Sequence, residues 1–310
     1  MKKIFSVLII AALLSGVIAA KSEAKNLSVV ATIFPIYDWV REIAGEKADL
    51  TLLLNNGVDL HSYQPTVDDM VKISTCDIFI YVGGESDEWV ENALKNSTNK
   101  NQIAVNLLDL LGSSVKHEEI IEGMQHEHEH KAKLDEHVWL SLRNAMKICK
   151  KISEILSSVA PENQEIYSLN TQIYLEKLAR LDEEYKSVIE KAKRKVFLFG
   201  DRFPFRYLAD DYGLKYYAAF SGCSAETEAS FETVIFLAKK TDELNLPCVL
   251  TIENPKHKIA ETIVNSTGEK NQRVLSLNSM QSATLNDVKN GENYLSIMEK
   301  NLETLKIALN

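Results

Sequence analysis

The sequence predicts an α/β protein of two similar lobes, each with a parallel sheet, joined by a long rigid helix with a ligand cleft between the lobes. Three observations lead there. Short β-rich runs alternate with helical stretches in both halves of the 310 residues. Such alternation describes parallel strands covered on both faces. A continuous helical period without Gly or Pro separates the halves, and the length suits two medium domains.

In the first half, Leu27 to Thr32 is strand-like and Tyr37 to Ala44 helical. Ala48 to Leu54 alternates as a strand, and Pro65 to Ser74 has a helical period. Ile78 to Val82 is a compact β run, followed by a Gly83-Gly84 turn and a helix near 87–94. The pattern stops near Gly112, and a polar loop runs over 113–136. Helices follow over 141–159 and 161–195. In the second, Leu169, Ile173, Leu175, Leu178, Leu181, Tyr185 and Ile189 recur at mostly three- and four-residue steps, as on a buried face. The second half is expected to carry strands at 196–199, 214–220, 248–252 and 274–277. Helices near 205–212, 231–244, 258–266 and 294–309 complete it. The domain reading is therefore a leader at 1–24, an N-terminal lobe at 25–160, a linking helix at 161–195 and a C-terminal lobe at 196–310.

Lys2 and Lys3 precede an apolar run from Ile4 to Ala20 that ends in small residues. A basic start, a short apolar core and a small-residue exit describe a secretory signal peptide. A membrane anchor is the alternative, but the run is at the short limit for a span. No Cys lies near its end, so export to a periplasm or the extracellular space without a lipid anchor is expected. The charge is −9, with 35 basic and 44 acidic residues. That balance gives no excess to neutralise phosphates and argues against nucleic acid as a partner. A monomer is expected. The four cysteines form no C-x-x-C pair. Cys76, Cys149 and Cys248 sit in apolar patterns and read as core residues.

Metal chemistry is the specific signal. The polar loop contains His126, His128 and His130 alternating with Glu127 and Glu129, and five of the seven histidines lie between 117 and 137. Imidazoles and carboxylates are the nitrogen and oxygen ligands of zinc and related ions. The tract reads as a low-affinity capture loop. His61, in Asp59-Leu60-His61-Ser62-Tyr63-Gln64-Pro65, follows a strand, and His137, in Glu136-His137-Val138-Trp139-Leu140-Ser141, precedes a helix. Loops at such element boundaries commonly present ligands. No H-E-x-x-H or comparable helical motif supports a zinc hydrolase.

These segments carry a resemblance. With the opening Val30-Ala31-Thr32-Ile33-Phe34-Pro35 and the Phe205-Arg206-Tyr207-Leu208-Ala209-Asp210-Asp211-Tyr212-Gly213-Leu214 segment, the chain resembles the zinc- and manganese-binding solute-binding proteins of bacterial metal ABC importers. The likeness covers nearly all of the chain after the leader. It implies a binding protein, not an enzyme, that captures Zn2+, or Mn2+ or another divalent transition metal, and passes it to a membrane permease. His61 and His137 match the first two family ligands. The family's third and fourth ligand positions hold Arg202 and Asn278. A guanidinium has no lone pair to give, and an amide oxygen is a weaker donor than a carboxylate.

Two readings follow. Cys223 or Glu226, in the loop after a strand of the second half, replaces a lost ligand, and a thiolate favours zinc over manganese. Alternatively, Arg202 holds an anion, and the cleft binds a metal–anion complex or a chelated metal. A secreted metal buffer or adhesin without a transport partner is a further alternative. Glu88 is expected to orient a ligand, Glu85 and Asp87 to face solvent, Glu228 to cap a helix, and Glu253 to pair with Lys256 or Lys258.

Overall fold

The computed structural model describes residues 26–125, 133–224, 228–253 and 257–310. The expected leader, the histidines of the capture loop and Glu226 lie outside the described residues.

The first half holds β1 (Leu27–Ala31), α1 (Phe34–Ala44), β2 (Ala48–Leu52), α2 (Val67–Thr75), β3 (Ile78–Tyr81), α3 (Val90–Lys95), β4 (Ile103–Asn106) and α4 (Leu107–Leu111). Its four strands run parallel in the order β2-β1-β3-β4. Two helices follow, α5 (Leu142–Val159) and α6 (Gln164–Lys191). The second half holds β5 (Val196–Phe203), α7 (Arg206–Tyr212), β6 (Lys215–Ser221), α8 (Phe231–Glu243), β7 (Cys248–Thr251), α9 (Lys258–Ser266), β8 (Arg273–Ser276), α10 (Leu285–Lys289) and α11 (Tyr294–Ala308). Its sheet is also parallel, ordered β6-β5-β7-β8. None of the described helices is long and apolar enough to cross a membrane.

The two-lobe α/β expectation is borne out, with local differences. The sequence reading missed β4 and α4, because Ile103–Asn106 is only four residues long and runs straight into Leu107–Leu111. Asn106 makes that transition sharp: its side-chain oxygen accepts from the amides of Leu108 and Asp109 and caps α4. The short α10, opened by a Thr284–Asp287 capping box, was likewise unforeseen. Ser230, not Glu228, caps α8, by accepting from the Thr233 amide at 3.1 Å.

The 28 residues of α6 span about 42 Å. Its buried stripe is Tyr167, Thr171, Tyr174, Leu178, Leu181, Tyr185 and Ile189. Leu169 and Ile173, assigned to that face from periodicity, are 58% and 45% exposed. The apolar period near the start of the helix is ambiguous because two tyrosines take the inward positions there. The helix packs against α1 and α5 of the first half and α11 of the second. Tyr185 donates to the carbonyl of Met298 at 2.6 Å, and the Asn170 amide donates to that of Ile43 at 3.0 Å.

A second tie is polar. Asp38 on α1 is fully buried; it pairs with Arg41 at 2.6 Å and accepts the Tyr294 amide at the start of α11 at 2.9 Å. Tyr294 in turn donates from its hydroxyl to the carbonyl of Trp139 at 2.7 Å. One apolar core therefore runs from the first sheet through α5, α6 and α11 to the inner face of the second. A separate cluster covers the outer face of the second sheet under α8 and α9.

Leu178→Ala should cost ~2–5 kcal/mol by opening a cavity in this shared core. Leu169→Ala, on the exposed face of the same helix, should stay within about 0.5 kcal/mol of wild type. Urea titrations of both variants check the assignment; comparable losses would mean that the helix is rotated.

Candidate metal centre

In a parallel sheet the loops after the strands emerge on one side, and ligands gather at the strands' C-terminal ends. Both halves follow this rule. His61 comes after β2 and Ser86 after β3. Arg202 lies near the end of β5, Cys223 follows β6, Glu253 follows β7 and Gln281 follows β8. His137 reaches the same place from the segment leading into α5.

His61 sits in a one-turn 3-10 helix, Leu60–Ser62, capped by Asp59, whose side chain accepts the His61 amide at 2.9 Å. Asp135 does the same for His137: one carboxylate oxygen lies 2.9 Å from both the amide and the ring Nδ1 of His137. That carboxylate can only accept, so the ring proton sits on Nδ1 and Nε2 keeps its lone pair. The Nδ1 of His61 lies 2.7 Å from Ser86 Oγ and 3.7 Å from a Glu136 oxygen, contacts that are compatible with the same tautomer. The two Nε2 atoms then converge at 3.2 Å. His137 is fully buried, against Trp139 at 5.2 Å between ring centroids. The Trp139 indole is held by the carbonyl of Ser279 at 2.8 Å.

The second half closes over this pair. Cys223 Sγ joins the two imidazoles so that the three candidate ligand atoms lie within 4.8 Å of one another. Gly222 permits that approach, since a Cβ there would come within 2.9 Å of the His137 ring. Gly84, at φ +83°, leaves room for Glu136 in the same way: a Cβ would stand 2.3 Å from its carboxylate. The Cys223 amide is anchored by the Glu118 carboxylate at 2.8 Å. Glu118 lies at the foot of the polar loop, where 116–118 and 133–135 run antiparallel through the His117–Leu134 bridge. That loop is therefore part structured at its base, although the sequence shows only a polar tract.

Gln281 was not anticipated. Its amide nitrogen lies 2.6 Å from His137 Nε2 and 3.4 Å from His61 Nε2, and its buried amide oxygen has no hydrogen-bond partner. The only sequence signal is its position in the loop after a β-rich run. Asn278, three residues earlier, does not face the imidazoles: its side-chain oxygen accepts the Met280 amide at 2.7 Å. Glu253 holds this loop by accepting from the amide and hydroxyl of Ser279 at 2.7 and 2.8 Å; Lys256, one of its two expected partners, lies outside the described residues. Arg202 forms an ion pair with Asp59 in the opposite half. Ser86 orients His61, whereas Glu88 is exposed. Asp87 is buried on the Gly83 amide at 2.9 Å, the reverse of its expected solvent position.

The electrostatics suit a site for a cation. Burial, reinforced by the neighbouring His137, pushes the His61 imidazole down to about 3. Burial raises the Cys223 thiol well above its ordinary value, and the carboxylates of Glu118, Glu136 and Asp135 add to the shift. Two imidazoles and a thiol offer donors that a dication would bind, and a bound metal deprotonates a coordinating thiol.

With this geometry in view, comparisons with known proteins are decisive for the family. Residues 29–308 match the family described as zinc-uptake complex component A, periplasmic, and the chain belongs to it. Zinc-binding lipoprotein AdcA of Streptococcus pneumoniae is 33% identical over 317 residues, which take in 99% of this chain and 61% of AdcA. The chain thus spans about three-fifths of that relative's length. The high-affinity zinc uptake system protein ZnuA of Bacillus subtilis is 32% identical, over 94% of this chain and 90% of that protein. The crystal structure of the Zn(II)-bound ZnuA-like domain of S. pneumoniae AdcA aligns with a TM-score of 0.73 at 30% identity, covering 92% of this chain and 99% of the domain. The relative's description as a lipoprotein runs against the expectation of an unanchored chain.

The His61 shift has a sign that can be tested in metal-free protein. The unfolded imidazole titrates near 6.5 and the folded one near 3. Between those values the unfolded state binds the extra proton, so stability falls as the pH drops. Asp87, raised by burial to about 7, pushes the other way, so His61→Gln is the reference that isolates the imidazole. From pH 6.5 to 4.5 the wild type should lose ~2–3 kcal/mol more than this variant in urea titrations; equal losses would refute the assignment.

Proposed function

We propose that this chain is an extracytoplasmic binding protein that captures a zinc ion between its lobes and delivers it to the permease of an ABC importer. The observation that carries the reading is the convergence of His61 Nε2, His137 Nε2 and Cys223 Sγ within 4.8 Å. Three such donors suit a tetrahedral zinc ion. Gln281 supplies the fourth position: turning its amide by half a rotation points the buried oxygen at the ion in place of the nitrogen. The names of the AdcA and ZnuA relatives support zinc as cargo. A thiolate selects zinc over manganese, whose preferred donors are oxygens.

Capture and release are ligand exchange and need no catalysis. The imidazoles come from one half and the thiol and amide from the other. Permease docking that separates the halves would therefore split the ligand set and loosen the ion. The His126, His128 and His130 tract gathers ions weakly outside the cleft. The anion-binding alternative loses its motive, because the Arg202 guanidinium is engaged by Asp59.

Zinc titration of the chelator-stripped chain, in competition with a chromophoric chelator, tests the site. One tight equivalent is expected. A four-ligand structural zinc site is worth ~10–16 kcal/mol, so losing His61, His137 or Cys223 to Ala should weaken binding roughly 100-fold or more. Cobalt(II) in the same site should show a thiolate-to-metal charge-transfer band that Cys223→Ser abolishes. Tight binding that survives loss of either histidine would sink the proposal. A cobalt spectrum lacking that band would remove Cys223 from the ligand set.

A further inference from the structure

The residue at the family's lost ligand position has a different task. We propose that Arg202 is a positioning residue: with Asp59 it forms a latch between the lobes that holds the His61 turn in binding geometry before metal arrives. The inference rests on the metal reading above for its consequence, but its geometry stands on its own.

Asp59 uses its two oxygens for two lobes. One accepts the His61 amide at 2.9 Å and caps the turn that carries the imidazole. The other takes the Arg202 guanidinium. Arg202 itself is fixed. The β5–β6 register shifts between Phe199 and Arg202, a bulge of the kind that re-aims a side chain. The Arg202 amide is held by Asp201 at 2.8 Å, and Asp201 accepts the Thr251 hydroxyl of β7 at 2.7 Å. A continuous path therefore runs from the sheet of the second half through Arg202 and Asp59 to the backbone of His61. Both side chains of the pair are mostly buried, at 17% and 23% exposed. Partial burial strengthens an ion pair relative to one in open water, and breaking it would leave a desolvated charge.

A His at position 202 would bind the ion and unite the lobes only when metal is present. An Arg unites them without it. One donor from the second half can then be a short cysteine, because the His61 turn is already drawn against it.

The latch and a simple field effect make opposite predictions. Arg202→Met removes a positive charge near the site, and Asp59→Asn removes a negative one. If only the field mattered, the first variant would bind zinc more tightly and the second more weakly. The latch predicts that both bind more weakly, each by about tenfold for a loss near 1.4 kcal/mol. The double variant should be little worse than either single one, and Arg202→Lys should recover part of the loss.

Hydrogen exchange of the metal-free protein reads the latch without any ligand. The His61 amide should exchange about tenfold faster in both variants, whereas the amide of Val30 in β1 should keep its protection. Asp59→Asn retains a side-chain oxygen for the cap, which guards against simple loss of the turn. Unchanged His61 exchange, or tighter zinc binding by Arg202→Met, would overturn the proposal. Absence of tight zinc binding in the wild type would sink the metal reading instead, and the exchange result would still judge the latch.

Discussion

Two imidazoles held with their Nε2 atoms 3.2 Å apart are the constraint around which the rest of the site is arranged. The His61 imidazole cannot be protonated cheaply in that position, because burial and the neighbouring ring both oppose the charge. Each ring is oriented through its Nδ1, by Asp135 for His137 and by Ser86 for His61, so that Nε2 points inward. The second half meets this pair with an amide and a thiol. On the proposed reading a cation is the partner that the imidazoles and the thiol would share.

The frame explains how such an arrangement is kept. Each parallel sheet delivers its loops to one edge, and the edges of the two sheets face the same site. Behind them, α5, α6 and α11 carry a continuous apolar core through both halves. Asp38 and Tyr294 add hydrogen bonds that leave little freedom for sliding. Packing of this kind keeps within a few ångströms side chains that are 220 residues apart in the chain, as His61 and Gln281 are.

The charges about the two imidazoles differ from those that the family resemblance implies. Arg202 stands where the resemblance places a ligand, and Asp59 takes up its charge. Asn278 is used by its own turn, and Gln281 faces the two imidazoles instead. Among the described candidate ligands, Cys223 is then the side chain that can become anionic on binding a metal. These changes share one logic: charge carried by the lobe contact is kept separate from charge that touches the ion.

The alternation of β and α segments, the uninterrupted helical run and the His61 and His137 motifs were legible in the sequence, because local periodicity and turn chemistry depend on near neighbours. Failures came where near neighbours say little. The four residues of β4 carry too short a period to read, and Leu169 resembles a core leucine until Tyr167 and Tyr174 are seen to occupy the inward face. Cys223 could be suspected from its place after a strand, but its approach to His137 depends on the fit of Gly222 against that ring. Gln281 and the Asp59–Arg202 pair had no local signal, since both join segments from opposite halves. By itself the sequence determined the architecture and pointed to the two imidazoles that meet in the cleft. The tertiary structure decided what completes the site, because partners across a cleft are chosen by the packing of two sheets and not by spacing along the chain.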